Sequence, residues 1–228
     1  MENLPLSGPG ESARGTARPV AVSVIILAAG LSSRMQGPVK LLLDVCGEAM
    51  IRRTARNVLG FRPVETILVT GHASDRIEAA VSDLPLRCVH NPDYPTGQQG
   101  SVRAGVMALR RRCRGVMVVL GDQPLVTPMH FQALVDAFAA QPEGAIVIPY
   151  HAGKRGNPVL FAARYIPSIV EGTLNVGCRK LIERHPGHVF RMETDIASFT
   201  CDCDTLDDYS RLLALLRGEP ADRGDAFP

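Results

Sequence analysis

A short apolar segment leads into small residues that could hold a phosphate group close to the backbone. Val22 to Leu27 is apolar and runs directly into Ala28-Ala29-Gly30, with Arg34 and Lys40 further along the chain. Small side chains leave the backbone N–H groups free to converge on phosphate oxygens. Arg34 and Lys40 would add positive charge, and lysine is rare in this chain, occurring only as Lys40, Lys154 and Lys180.

The spacing of this loop differs from that of the two best-known phosphate-binding motifs. The segment has neither the G-x-x-x-x-G-K-[ST] pattern of a P-loop nor the G-x-G-x-x-G pattern of a dinucleotide-binding fold. We therefore interpret it as a phosphate-binding loop of another type. The alternative is an ordinary turn in which Ser32, Ser33 and Arg34 only cap and solvate the element that follows.

A single acidic residue follows the most apolar stretch of the chain. Gly115 to Leu120 is typical of a central parallel strand that is covered on both faces, and Asp122 comes directly after it. Ligands of open α/β sheets bind outside the carboxyl ends of the strands, so Asp122 is a candidate functional residue. The alternative is a turn aspartate that bonds to its own backbone.

Two further carboxylates, Asp202 and Asp204, precede the last predicted helix. We expect a strand here, which would place both on one face, where one or both could meet Asp122 around a divalent ion. Carboxylates together with substrate phosphates form a typical Mg²⁺ site. The sequence therefore predicts metal-assisted chemistry on a nucleotide, unless Asp204 or Thr205 serves only as a helix N-cap.

Strands and helices alternate along most of the chain, which predicts a doubly wound, mostly parallel α/β sheet with helices on both faces. Cys201 and Cys203 would lie on a late strand. The part from Gly153 to Asp204 is less regular. The expected strands are 22–27, 66–70, 86–90, 115–120, 145–149 and 156–161; the expected helices are 50–59, 74–81 (capped by Ser74), 101–112, 128–140 and 204–216; and 40–45 is expected to be extended.

Length and composition limit the domain organisation and the partners. The 228 residues suit one domain, which we place at 20–217, between a disordered leader at 1–19 and a flexible tail at 218–228. The formal net charge is only +2, so we expect no nucleic-acid surface. The chain has no long apolar segment and no charged start followed by an apolar core, so we expect no membrane association and a cytoplasmic location.

The remaining charged and sulfur-containing residues receive no function at this stage. Arg110, Arg111, Arg112 and Arg114 are expected at the C-terminal end of a helix, where cations complement the helix dipole. The six cysteines show no C-x-x-C pair and are expected to be reduced thiols.

Five segments, in this order along residues 22 to 215, resemble the MobA-like nucleotidyltransferases, and within that family the molybdenum cofactor cytidylyltransferases. Five motifs in colinear order are more specific than any single loop. The segments are Leu27-Ala28-Ala29-Gly30-x-Ser32-x-Arg34-Met35 with Lys40, Asn91-Pro92 followed by Gly97-Gln98-Gln99-Gly100-Ser101, Gly121-Asp122-Gln123-Pro124, Gly156-Asn157-Pro158-Val159, and Asp202-Cys203-Asp204-Thr205.

The resemblance implies a Rossmann-like nucleotide-binding half, an irregular acceptor half and a specific reaction. In that reaction the phosphate of molybdopterin attacks the α-phosphate of CTP and pyrophosphate leaves. The implied partners are CTP, molybdopterin and a molybdoenzyme or its maturation chaperone. The implied catalytic residues are Arg34, Lys40 and Asp122; the nucleotide-binding residues Leu27, Ala28, Ala29, Gly30, Arg34, Lys40, Gly97, Gln98 and Ser101; the acceptor-binding residues Gly156, Asn157 and Pro158; and the Mg²⁺ ligands Asp122, Asp202 and Asp204.

Two positions bear on which nucleotide and which acceptor are used. Ala29 stands where guanylyltransferase relatives typically have glycine, which favours CTP over GTP. Relatives often carry Gly-Asp-x-Gly-Ala-Arg in the acceptor half, whereas Asn175 replaces the aspartate here. Three alternatives therefore stay open: a guanylyltransferase, a transferase to another phosphorylated acceptor, and a non-catalytic nucleotide- or cofactor-binding carrier.

Overall fold

The computed structural model describes residues 20–31, 38–142, 144–171 and 179–218. Several expectations therefore fall outside the described residues: the predicted leader at 1–19, residues 219–228 of the predicted tail, the turn residues Ser32, Ser33 and Arg34, and Asn175. The strands are β1 Val22–Ala28, β2 Glu65–Thr70, β3 Arg87–His90, β4 Gly115–Leu120, β5 Ile146–His151, β6 Lys154–Arg155, β7 Val159–Ala162 and β8 Val189–Glu193.

The helices fall between these strands and after the last one. They are α1 Met50–Gly60, α2 Ser74–Ala80, α3 Gln98–Ala108, α4 Pro128–Ala139, α5 Ile166–Val170, α6 Arg179–Arg184 and α7 Leu206–Arg217. Helix α1 contacts α2 and α4, whereas α3 contacts α5, so the helices form two groups. No helix among the described residues is long and apolar enough to cross a membrane.

The eight strands form one mixed, mostly parallel sheet, which confirms the predicted α/β class. Its order is β3-β2-β1-β4-β7-β5-β6, and β8 pairs with β5 in parallel. Strands β1, β2, β3 and β4 pair in parallel, and β7 runs antiparallel between β4 and β5. Since β7 is antiparallel to both β4 and β5, those two strands run in the same direction as each other and as β1. The C-terminal ends of β1, β4 and β5 therefore lie at the same edge of the sheet.

The core is built on β1 and β4, as their largely apolar sequences predict. All seven residues of β1 are buried, and β4 is buried from Gly115 to Val119. Helix α3 packs directly on this layer at Gly105, where a Cβ atom would lie 2.5 Å from Cγ2 of Ile25 and 3.0 Å from Cγ2 of Val69. The absence of a side chain at Gly105 thus sets how closely α3 approaches the sheet.

Several predicted element boundaries were wrong. The segment expected to be extended at 40–45 begins with a 3₁₀ turn, Lys40–Leu42. Ser74 is the first residue of α2 instead of its cap, because Ala73 takes the preceding position with a left-handed φ of 54°. The segment from Cys201 to Asp204 is not a strand, although Cys201 and Cys203 are buried as an alternating pattern requires.

Helix α3 begins and ends earlier than the predicted 101–112. It starts at Gln98, so part of the expected loop is helical, and it ends at Ala108. The arginine run therefore follows the helix instead of closing it. The backbone N–H groups of Arg110 and Arg111 donate to Oε2 of Glu65, at 2.9 and 3.1 Å. A side-chain acceptor from β2 ends the helix here, which local sequence alone does not reveal.

We expect Gly105→Ala to destabilise the fold. The added methyl group would overlap Ile25, and overpacking of this kind costs about 1–3 kcal/mol, more than the roughly 1 kcal/mol gained in helix propensity. Urea denaturation measures the free energy of unfolding. Met107→Ala, at an exposed position of the same helix, serves as the control. An unchanged stability of Gly105→Ala would show that the sheet and helix can move apart at little cost.

Candidate functional site

The loop after β1 forms one wall of a cavity of about 460 Å³ at the C-terminal ends of β1 and β4. Leu27, Ala29, Gly30 and Leu31 line it. Ala28, the last residue of β1, does not line the cavity: it is buried and pairs with Thr70. A Cβ atom at Gly30 would meet nothing within 4 Å, so this side of the loop is open to a ligand.

Lys40 contributes the main positive charge of the cavity among the described residues that line it. Its Nζ atom donates to Oδ2 of Asp122 at 2.5 Å and to Oδ1 of Asp204 at 2.9 Å. The side chains of Lys40 and Asp122 are 13% and 14% exposed, whereas that of Asp204 is 43% exposed. Two carboxylates from distant parts of the chain thus converge on one ammonium group at the edge of the cavity.

This arrangement raises the pKa of Lys40. Burial alone would lower it, since a charged amine is poorly solvated there. The charge of Asp122 and the hydrogen bonds to Asp122 and Asp204 outweigh burial and hold the ammonium in its protonated form. Lys40 is therefore a fixed positive charge that can serve electrostatically but not as a base.

Asp122 is positioned by a tight contact between the ends of β1 and β4. The backbone N–H of Gly121 donates to the carbonyl oxygen of Leu27 at 2.9 Å, and the Thr54 hydroxyl donates to the carbonyl oxygen of Gly121 at 3.0 Å. A Cβ atom at Gly121 would lie 2.9 Å from the Leu27 oxygen, so the close approach requires glycine. The other carboxylate oxygen of Asp122, Oδ1, is buried and has no hydrogen-bond partner among the residues that the structure describes.

Asp202 lies beside this group but has a different partner. Nε2 of the fully buried Gln123 donates to its Oδ1 at 2.8 Å. Burial, followed by the charges of Asp122 and Asp204, raises the pKa of Asp202 to about 6. The three carboxylates therefore lie close enough for their charges to interact, although Asp202 and Asp204 do not share the face of a strand that the sequence predicted. Asp204 lines the cavity with Asp122, whereas Asp202 is tied to Gln123.

Helix α7 begins in a way that leaves the Asp204 side chain available to the cavity. Thr205 is the N-cap, and its hydroxyl oxygen accepts from the N–H of Asp208 at 3.1 Å. Oδ2 of Asp208 accepts in return from the N–H groups of Thr205 and Asp204. Of the two predicted cap candidates, Thr205 therefore takes that position, and Asp204 bonds to Lys40 instead.

The opposite wall of the cavity comes from the segment between β3 and α3. The predicted residues Gly97, Gln98 and Ser101 all line the cavity. Ser101 is held by the buried Asn91, whose Nδ2 donates to the Ser101 hydroxyl oxygen at 3.1 Å. Oδ1 of Asn91 accepts from the N–H of Asp93, so the Asn91 amide has a fixed orientation. This wall therefore carries the Ser101 hydroxyl in a position that Asn91 fixes.

Sequence reasoning missed several residues of the site. Gln123 lies in the motif Gly121-Asp122-Gln123-Pro124 but received no role. Its position directly after the aspartate at the end of a strand could have marked it as a residue of the site. Tyr94 and Pro95 fall in what was treated as a loop, and they line the cavity together with Leu31, Leu41 and Leu120. These residues contribute only through packing, for which their spacing carries no signal.

The predicted acceptor-binding residues lie next to the carboxylates without lining the cavity. The backbone N–H of Asn157 donates to the Phe199 carbonyl oxygen at 2.8 Å, and Nε2 of Gln123 reaches the same oxygen at 3.4 Å. A Cβ atom at Gly156 would come within 2.5 Å of that oxygen. Gly156 and Asn157 are thereby joined through Phe199 to Gln123, which bonds to Asp202, and Pro158 follows them in the chain.

The carboxylates at the cavity can supply only some of the ligands that a metal ion needs. Within the ranges that the structure describes, no three histidine, cysteine or acidic side chains are arranged so that they could hold one ion. Asp122 and Asp204 share one cation already, and Oδ1 of Asp122 lacks a partner. One or two carboxylates fit Mg²⁺ when substrate phosphates and water complete its coordination.

The chain is similar to known proteins over most of its length. The MobA-like NTP transferase domain matches residues 24–189. The molybdenum cofactor cytidylyltransferase of Escherichia coli (strain K12) is 30% identical over 191 residues, 83% of this chain and 94% of that protein.

Two further matches concern part of the chain and the fold. The bifunctional protein GlmU of Alkalilimnicola ehrlichii is 35% identical over 117 residues, which are 50% of this chain but only 25% of that protein. A nucleotidyl transferase from Methanothermobacter thermautotrophicus superposes with a TM-score of 0.74 at 22% identity, over 87% of this chain and 99% of that one. The chain therefore belongs to the MobA-like NTP transferase family and has the α/β fold of nucleotidyltransferases.

Proposed function

We propose that this protein is a Mg²⁺-dependent cytidylyltransferase that transfers CMP from CTP to the phosphate of molybdopterin. The observation that carries the proposal is the Lys40, Asp122 and Asp204 cluster at the cavity lined by Ala29, Gly30 and Leu31. Family membership supports nucleotidyl transfer as such. The similarity to the E. coli cytidylyltransferase over most of both chains supports this donor and acceptor.

The nucleotide would bind with its triphosphate along the loop after β1. The backbone N–H groups from Ala28 to Gly30 would face phosphate oxygens, with Leu27 below them and Arg34 and Lys40 supplying positive charge. Gly97, Gln98 and Ser101, on the opposite wall, would face the base. Ala29 at the close approach to the phosphates is our reason to favour CTP over GTP.

The chemistry requires charge stabilisation more than proton transfer. An oxygen of the acceptor phosphate forms a bond to the α-phosphorus of CTP, and the bond from that phosphorus to the bridging oxygen breaks. Pyrophosphate leaves with the electron pair. Because the nucleophile is already an anion, no protein base is needed. Lys40 is suited to stabilise the negative charge that grows on the α-phosphate and the leaving group.

The carboxylates would hold Mg²⁺, which when bound would withdraw negative charge from the substrate phosphates. Asp122 and Asp204 are the preferred ligands, since they lie together at the cavity and Oδ1 of Asp122 has no other partner within the described part of the chain. Asp202 would orient this pair through its own charge and its bond to Gln123. Lys40 neutralises the same carboxylates before the substrates arrive.

The acceptor would approach from the side of Gly156, Asn157 and Pro158, which adjoin Gln123 and Asp202 through Phe199. We extend the proposal to a cytoplasmic location and to delivery of the product to a molybdoenzyme or its maturation chaperone. The alternatives are use of GTP, use of another phosphorylated acceptor, for which Asn175 is the reason, and a carrier without turnover.

The first experiment measures pyrophosphate release with Mg²⁺ and molybdopterin, supplied in parallel with CTP, GTP, ATP or UTP. We expect release with CTP and little with the others. Release with GTP alone would favour the guanylyltransferase. Equilibrium binding of each nucleotide is measured on the same sample, and binding without any release would indicate another acceptor or a carrier protein.

We expect Asp122→Asn to lower kcat by at least about a hundredfold while the protein stays folded. The amide keeps the shape of the side chain but loses the charge that would hold the metal, and loss of one electrostatic group at a reacting centre costs about this much. Asp136→Asn, on the exposed side of α4, is the matched control. Near-normal turnover of Asp122→Asn would remove Asp122 from the mechanism.

We expect Lys40→Ala to lower kcat more than it raises KM for CTP. A group that acts on charge developing in the transition state affects kcat, whereas one that binds substrate and transition state equally affects only KM. Steady-state kinetics at saturating acceptor separate the two, with exposed Lys154→Ala as the control. A change confined to KM would assign Lys40 to ground-state binding.

A further inference from the structure

The Lys40 ammonium group is bound to the same carboxylates that would hold the metal ion. Its Nζ atom lies 2.5 Å from Oδ2 of Asp122 and 2.9 Å from Oδ1 of Asp204. Mg²⁺ binds carboxylate oxygens at about 2.0–2.1 Å, so an ion bound to either of these oxygens would lie within about 5 Å of Nζ. Metal and ammonium therefore compete for one pair of carboxylates.

Two cations that share these carboxylates would repel each other strongly. The side chains of Lys40 and Asp122 are mostly buried, and charges in such a place are screened less by water and salt than charges on an open surface. A divalent ion also carries twice the charge of the ammonium group. A metal ion can thus bind tightly to Asp122 and Asp204 only when the Lys40 ammonium leaves them.

Loss of the Lys40 proton does not relieve this repulsion. Burial would lower the pKa of the ammonium group, but the charge of Asp122 and the hydrogen bonds to Asp122 and Asp204 raise it from its ordinary value of 10.5. The group therefore stays positively charged at neutral pH, and a metal ion must displace a cation instead of a neutral amine.

The cavity gives the Lys40 ammonium group a second place to bind. Lys40 lines the cavity together with both carboxylates and with Ala29 and Gly30, the loop along which the nucleotide phosphates would lie. Its backbone is held by the 3₁₀ turn Lys40–Leu42, in which Leu41 is buried. The ammonium group, in contrast, ends a flexible four-carbon stem. A change of partner therefore needs only side-chain rotation.

The charges of the cavity disfavour a nucleotide without metal as well. Asp122 and Asp204 together outweigh the single positive charge of Lys40, so a strongly negative triphosphate would enter a site that is already negative. When both ligands are present, the metal ion can take the carboxylates and the ammonium group can take phosphate oxygens. Each charge then has a partner of opposite sign, which offsets the cost of removing it from water.

We propose that Lys40 couples metal binding to nucleotide binding, because its ammonium group holds the carboxylates of Asp122 and Asp204 until a nucleotide arrives and then moves to the phosphates. Neither ligand binds tightly alone, and each raises the affinity for the other, as thermodynamic linkage requires. This inference rests on the proposed function, since it assumes a metal ion at the two carboxylates and phosphates at the loop after β1. It adds that the nucleotide-free protein binds metal only weakly.

Titration of the full chain with Mn²⁺ in the absence of nucleotide, followed by the EPR signal of free Mn²⁺, tests the first half of the proposal. We expect Lys40→Met to tighten Mn²⁺ binding by at least about tenfold, because it removes a positive charge beside the metal ligands. Lys40→Arg keeps that charge and should stay within about threefold of the wild type. Lys154→Met removes the same charge from an exposed position and should change the affinity by less than about twofold.

The same substitution should have the opposite effect on the nucleotide. In isothermal titrations with saturating Mn²⁺ and no acceptor, we expect Lys40→Met to weaken CTP binding by at least about tenfold, since the phosphates lose a charge-assisted partner. A gain in affinity for one ligand and a loss for the other indicate that the ammonium group changes partners. A variant that was merely misfolded would bind both ligands more weakly.

Unchanged Mn²⁺ affinity in Lys40→Met, or an equal gain in Lys40→Arg or Lys154→Met, would overturn the proposal. Tight Mn²⁺ binding by the nucleotide-free wild type that Asp122→Asn abolishes would overturn it as well, and this measurement needs no folded Lys40 variant. Neither titration involves the acceptor or pyrophosphate release. Failure of CTP to bind to the wild type would contradict the proposed donor, whereas the Mn²⁺ titration would still decide the role of Lys40.

Discussion

The contact of the Lys40 ammonium with Asp122 and Asp204 is the constraint on which the rest of the site depends. The carboxylates come from positions 82 and 164 residues away in the sequence. Removing charges from water costs several kcal/mol per ion, and only close pairing offsets this cost. Because Lys40 and Asp122 are mostly buried, the three charges stabilise the folded chain only as a group, so each segment that carries one is held in place.

Three structural features position these charged groups. The parallel pairing of β1 with β4, extended by the bond from Gly121 to Leu27, brings Asp122 beside the loop after β1. A 3₁₀ turn begins at Lys40, and the Thr205 cap starts α7 directly after Asp204. The same features leave the cavity open between Gly30 and Ser101. The strand ends and helix starts thus hold the charged side chains in place, and a ligand can still enter the cavity.

The sequence predicted the α/β class and the strands around the site well, because Val22–Ala28 and Gly115–Leu120 are apolar runs whose burial needs no tertiary information. It did less well where a distant group decides the local structure. The end of α3 depends on the Glu65 side chain. The irregular segment before Asp204 is tied to Gln123 through Asp202, and the preceding Phe199 packs closely against Gly156. A period-two pattern could not distinguish that segment from a strand.

By itself, the sequence determined which chemical groups are present and in what order: a loop of small residues, a lysine, three carboxylates and the five motifs of the family. Only the tertiary structure decided which groups touch. It placed Lys40 between Asp122 and Asp204 and paired Asp202 with Gln123. Local sequence fixes strand and helix preference, whereas contacts between distant side chains follow from strand order and register, which only the assembled sheet defines.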